Sequence, residues 1–95
     1  FGISVQARPL SRRFMRLTGR EANTTPEVIA VEPGGPAGRA GVRVGDLILG
    51  VNEKTISSVD DLHRYLAKHP PGVSIELSLF RTDRVLKISI VPGEA

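Results

Sequence analysis

The chain has 95 residues, a formal charge of +3 and no cysteine. That length suits one domain with a single modest core, and the absence of thiols excludes disulfides and thiolate metal sites. Hydrophobic residues make up 40% and charged residues 24%, as in ordinary globular domains, and no apolar run approaches the roughly 20 residues that span a bilayer.

The chain opens Phe1-Gly2-Ile3 without a Met, so it is expected to be a piece of a longer protein whose targeting information lies elsewhere. Charge is unevenly spread. Residues 1–20 hold Arg8, Arg12, Arg13, Arg16 and Arg20 and no acid. Such a patch could meet nucleic acid, an anionic membrane or an acidic protein, although most charge runs are solvated faces. Aromatics are only 4%, so the stacking platform of single-strand binders is missing and no nucleic-acid partner is expected.

Phe1, Ile3 and Val5 alternate with Gly2, Ser4 and Gln6, the period of a half-buried strand. Ser11 is placed to cap a short helix from Arg12 to about Thr18, with Phe14 and Leu17 inward and Gly19 as its stop. Residues 20–26 read as a polar, mobile connector. Val28 to Val31 read as a strand, closed by Pro33-Gly34-Gly35.

Pro36 then presets the first turn of a helix, with Ala37 and Ala40 on one face and Gly41 as its left-handed stop. Gly45-Asp46 makes a turn whose carboxylate can bond nearby N–H groups. Leu47-Ile48-Leu49 reads as a buried strand ended by Asn52, with a turn at Glu53-Lys54 and an extended piece at Thr55-Ile56. Ser57 or Ser58 caps the next helix, Asp60 and Asp61 suit its dipole, and Pro70-Pro71-Gly72 stops it after about Lys68. That helix carries two overlapping stripes, Leu62-Tyr65-Leu66 and Val59-His63-Leu66, so it either sits deep or lines a groove. Alternation from Val73 to Phe80 and again at Leu86, Ile88 and Ile90, around a turn at 81–84, predicts a hairpin that Pro92-Gly93 closes.

No catalytic constellation emerges. His63 and His69 lack a partner at metal-ligand spacing, there is no Gly-x-Ser-x-Gly elbow, and no Gly-Lys-Ser/Thr follows the glycines. The chain is expected to be no enzyme by itself, with no metal and no cofactor.

The stretch Pro36-Ala37 to Asn52, Pro-Ala-x-x-Ala-Gly-Val-x-x-Gly-Asp-Leu-Ile-Leu-x-Val-Asn, resembles the centre of a bacterial PDZ domain. With the binding strand first, a helix-bearing insert at 9–26 and a final hairpin, the chain is similar to the PDZ domains of HtrA/Deg-type serine proteases. The resemblance covers nearly the whole chain and is weakest over 12–26. It implies an α+β fold: a partly open β-sandwich or barrel of five to six strands, capped by two to three short helices, in the bacterial (permuted) strand order. Residues 1–95 would be one PDZ domain.

The resemblance also implies a site. Phe1-Gly2-Ile3 is similar to the family's carboxylate-binding loop, and Ile3, Ser4 and Val5 would supply the edge that pairs with an extended peptide. Val59, His63 and Leu66 fall on the groove-facing helix positions, with Phe1, Ile3 and Leu66 lining the last side-chain pocket. The implied partners are C-terminal peptides of misfolded or unassembled proteins and an attached protease domain. The implied setting is the bacterial periplasm or envelope, with the isolated domain a monomer and membrane contact not the main mode. Two other readings stand beside it: the PDZ domain of a tail-specific or membrane-embedded protease, and a basic domain using 8–20 on lipid or nucleic acid.

Overall fold

The computed structural model describes residues 2–19, 23–70 and 72–91. Phe1, Arg20, Pro71 and Pro92-Gly93, to which the sequence assigns roles, lie outside them. Among the described residues, six strands and three helices follow in the order β1 (Ile3–Pro9), α1 (Arg12–Thr18), β2 (Thr24–Val31), α2 (Pro36–Ala40), β3 (Leu47–Val51), β4 (Lys54–Thr55), α3 (Val59–Lys68), β5 (Ile75–Arg81) and β6 (Arg84–Ile90). All pairings are antiparallel, in the order β1-β2-β3-β5-β6, with β4 added beside β3. This is the α+β architecture that the resemblance implies.

Local chemistry sets the helix ends. Ser11 Oγ accepts from Phe14 N–H and Gly19 closes α1 in the left-handed region. Pro36 opens α2 and Gly41 closes it. Ser58 Oγ accepts from Asp61 N–H at the start of α3, so of the two candidate serines the second is the cap. Helix α2 lies so close to the end of β2 that a Cβ on Gly38 would sit 2.8 Å from the Glu32 carbonyl oxygen.

The core forms where these elements meet. Ile75, Leu77 and Leu79 point inward from β5 and join Val28, Ile48, Val51, Ile56, Leu62 and Ile90. The opposite face of β5 offers Phe80, which α1 covers with Phe14 in an edge-to-face contact, ring centroids 4.8 Å apart.

Three expectations need correction. Residues 24–26 are strand rather than connector: Thr24, Thr25 and Pro26 pair with Pro9, Arg8 and Ala7. Thr25 is buried because its hydroxyl donates to the Ile48 carbonyl at 2.7 Å, which satisfies the polar atom. Leu17 does not pack inward but stands 76% exposed, since Phe14 alone reaches the sheet. The turn before β4 is Asn52-Glu53, both at positive φ, so Lys54 already belongs to β4.

One buried charge joins three segments. Asp46, 1% exposed, accepts Arg81 Nε–H at 2.8 Å and Arg81 Nη2–H at 2.7 Å, and also Arg43 N–H at 2.9 Å. Arg81 further donates to the Gly41 carbonyl. The carboxylate raises the Arg81 pKa through this hydrogen bonding, and the turn that delivers β3 is thereby tied to the end of β5.

Candidate functional site

Strand β1 pairs with β2 alone among the described strands, so its other edge is open. Two bonds fix which residues face that edge. The Gly2 carbonyl accepts Glu32 N–H at 2.7 Å, and Leu10 N–H donates to the Asn23 carbonyl at 2.8 Å. The register irregularity between Ser4 and Val5 skips Ile29 on β2, leaving β1 itself continuous. Within β1, antiparallel alternation then turns the polar groups of Ser4, Gln6 and Arg8 toward β2. Those of Ile3, Val5 and Ala7 turn outward.

The sequence reading grouped Ser4 with Ile3 and Val5 as the pairing edge. The register puts Ser4, opposite Ala30, on the inward set. Ile3 and Val5 are the outward pair, and their side chains are half-buried against the core. This alternation depends on the pairing of β1 with a distant strand, so no local signal reveals it.

Gly2 stands just before this edge at φ +87°, a conformation in which an L side chain costs roughly 1–2 kcal/mol. A Cβ there would meet nothing nearer than 3.6 Å. Backbone conformation, not crowding by its own chain, therefore calls for glycine.

Helix α3 packs against β1 and β2. Val59, His63 and Leu66 share one of its faces by helical period. Leu66 is half-buried and packed on the core, Val59 is half-buried, and His63 is exposed. Leu62, next around the helix, is the residue it buries. The N-terminus of α3 is held by a small network. Asp61 Oδ2 accepts the Ser57 hydroxyl at 2.9 Å, and the Ser57 carbonyl accepts Thr24 Oγ1–H at 2.8 Å. The Ser57 hydroxyl and N–H, with Arg64 nearby, hold the Asp61 carboxyl below the usual aspartate range.

Asp61 and His69 are engaged within the fold: Asp61 accepts the Ser57 hydroxyl, and His69 donates from Nε2 to the Val73 carbonyl at 2.8 Å. Among the described residues no three His, Cys, Asp or Glu side chains gather as a metal site would require, and no helix is long and apolar enough to cross a membrane. Of the basic segment, Arg8 pairs with Glu27, while Arg12, Arg13 and Arg16 are exposed.

The PDZ domain family matches residues 27–79, more than half of the chain. A probable periplasmic serine endoprotease, DegP-like, from Halomonas elongata is 27% identical over 97% of this chain. One from Brucella suis is 30% identical over 93%. The chain spans only 19% and 17% of these two curated relatives. Among solved structures, the HtrA3 PDZ domain bound to a phage-derived ligand (FGRWV) superposes with a TM-score of 0.72 at 25% identity, over 98% of this chain and 83% of that one. The HtrA-type protease AlgW, as its S227A variant with a decapeptide, gives a TM-score of 0.77 at 24% identity, over 97% of this chain and 27% of that one, a likeness of fold. The chain belongs to the PDZ domain family and is similar to the PDZ domains of HtrA/Deg-type serine proteases.

Proposed function

We propose that this domain captures the free C-terminus of an extended peptide by adding it as a strand to the open edge of β1, opposite α3. The observation that carries the reading is the register of β1, which leaves the polar groups of Ile3 and Val5 unpaired by β2. Strand addition at such an edge supplies main-chain hydrogen bonds, and side-chain pockets supply selectivity.

In this reading the N–H groups of Gly2 and Ile3, with that of Phe1, hold the peptide carboxylate. Each such charge-assisted bond contributes about 1.5–3 kcal/mol. Ile3 and Leu66, with Phe1, form the pocket for the last side chain, worth about 1.5–3 kcal/mol when an apolar group fills it. His63 faces mid-groove, and Val59 faces the upstream ligand residues.

The parent protein would be an HtrA/Deg-like serine endopeptidase of the bacterial periplasm or envelope. There the domain would deliver misfolded or unassembled proteins to a protease domain, or regulate it. The names of the DegP-like relatives, periplasmic endoproteases, support this setting, as does the peptide-bound HtrA3 neighbour.

Calorimetric titration of a peptide library ending in free apolar residues tests the site. Leu66→Ala and Ile3→Asp should each weaken binding by about tenfold or more, the equivalent of roughly 1.4 kcal/mol. Unchanged affinity in both variants would remove the groove as the binding site.

A further inference from the structure

We propose a second binding site, for a phosphate-type anion, on the face of α3 turned away from the peptide groove. Lys54, Thr55, Asp61, Arg64, Tyr65 and Lys68, with His69 beside them, surround a depression of about 630 Å³. Three obligate cations and one imidazole thus face a single carboxylate. That carboxylate is already engaged, because Asp61 Oδ2 accepts from the Ser57 hydroxyl and its other oxygen lies 3.9 Å from Arg64. Lys54 and Lys68 form no ion pair among the described residues. The floor of the depression therefore has positive charge to spare.

The aromatic wall is ordered, and it orients donors. Asn52 Oδ1 accepts Glu76 N–H at 2.8 Å, which fixes the amide so that Nδ2 donates to the Tyr65 hydroxyl oxygen at 3.1 Å. The Tyr65 hydroxyl proton is then left to donate to a ligand. Lys54 Nζ lies 5.9 Å from the Tyr65 ring centroid, a cation–π position that sets the ammonium over the aromatic wall. Tyr65 stacks on His69, whose Nε2–H is committed to the Val73 carbonyl.

A helix C-terminus attracts basic side chains through its own dipole, and that accounts for Lys68. It does not account for Lys54, which arrives from β4, nor for Arg64 in the middle of α3. Lysine point charges, one guanidinium fork and a phenol hydroxyl match the oxygens of a phosphate or phosphate ester. By helical period, Arg64 and Lys68 lie on the side of α3 opposite Val59, His63 and Leu66. The anion site is thus independent of the peptide reading.

Inorganic phosphate and glycerol phosphate, titrated at constant ionic strength and followed by amide shifts, test the proposal. The expected result is saturable shifts confined to Lys54 and residues 64–69. In the double variant Arg64→Gln/Lys68→Gln affinity should fall about tenfold, as for the loss of two exposed ion contacts. The double variant Arg12→Gln/Arg13→Gln should leave it unchanged. Tyr65→Phe, which keeps the ring, should weaken binding without altering the fold. Shifts spread over all basic residues, α1 included, or insensitive to Arg64→Gln/Lys68→Gln, would overturn the site. Sedimentation with phosphatidylglycerol vesicles against phosphatidylcholine vesicles separates the sources. Sedimentation lost in Arg64→Gln/Lys68→Gln marks a lipid headgroup, and localised phosphate shifts without sedimentation mark a free phosphate ester.

Discussion

Replacing Asp46 with alanine should be among the costliest single changes in this domain. The carboxylate is almost wholly buried and accepts two bonds from the Arg81 guanidinium and one from Arg43 N–H. Removing one partner of a buried ion pair costs about 3–5 kcal/mol, mostly through the charge left behind. The Arg81 side chain retains 26% exposure, so its guanidinium can partly rehydrate and the lower end, about 3 kcal/mol, applies. For a chain of this length that lowers Tm by about 12–24 °C. Urea unfolding measures the loss directly, with a lower midpoint and an unchanged slope. Arg81→Met strands the carboxylate and should cost at least as much, while the double variant should lose less than the sum of the two. A loss below about 1 kcal/mol for Asp46→Ala, the ceiling for an exposed pair, would refute the claim that this contact ties the β3 turn to β5.

Thr25→Val keeps the shape but leaves the Ile48 carbonyl without the hydroxyl that now donates to it; it should destabilise by about 1–3 kcal/mol in the same assay. Gly38→Ala places a methyl carbon against the Glu32 carbonyl oxygen and should destabilise by about 1–3 kcal/mol as an overpacked contact, where an ordinary helix position would gain from the change. Asp61 should titrate below an ordinary aspartate in carbon-detected NMR, because Ser57 and Arg64 favour its charged form. Its folded pKa is depressed, so its contribution to stability is present above the unfolded pKa and is lost as pH falls through the folded one. Titration at or above the ordinary aspartate value would show that the network at the start of α3 does not form.

What the sequence discloses depends on how far apart the interacting residues are. Ser11, Gly19, Pro36, Gly41 and Ser58 mark helix ends through bonds to residues at most a few positions away, so local sequence points to them, Ser58 as one of two adjacent serines. The stripe Val59-His63-Leu66 follows from helical period in the same way. Thr24-Thr25-Pro26 looks like a loop because threonine and proline are common in loops. It becomes strand only through pairing with Pro9, Arg8 and Ala7 and through a bond from Thr25 to Ile48, both contacts remote in sequence. Leu17 and Phe14 have the same spacing signal, and only the position of Phe80 decides which of them packs.

The site divides along the same line. Gly2 and Ile3 could be pointed to through a resemblance of motif, but the division of β1 into inward and outward residues required its register with β2. That register turns the polar groups of Ser4 away from the open edge of β1. The second face of α3 was wholly hidden, since it needs Lys54 from a different element and an Asn52 amide oriented by Glu76.

Calorimetric titration of one peptide as free acid and as C-terminal amide tests the carboxylate mechanism most directly. Amidation removes the charge that the N–H groups at Gly2 and Ile3 are proposed to hold. It should cost about 3 kcal/mol, on the order of 100-fold in affinity. Equal affinity for acid and amide would contradict capture of a free C-terminus.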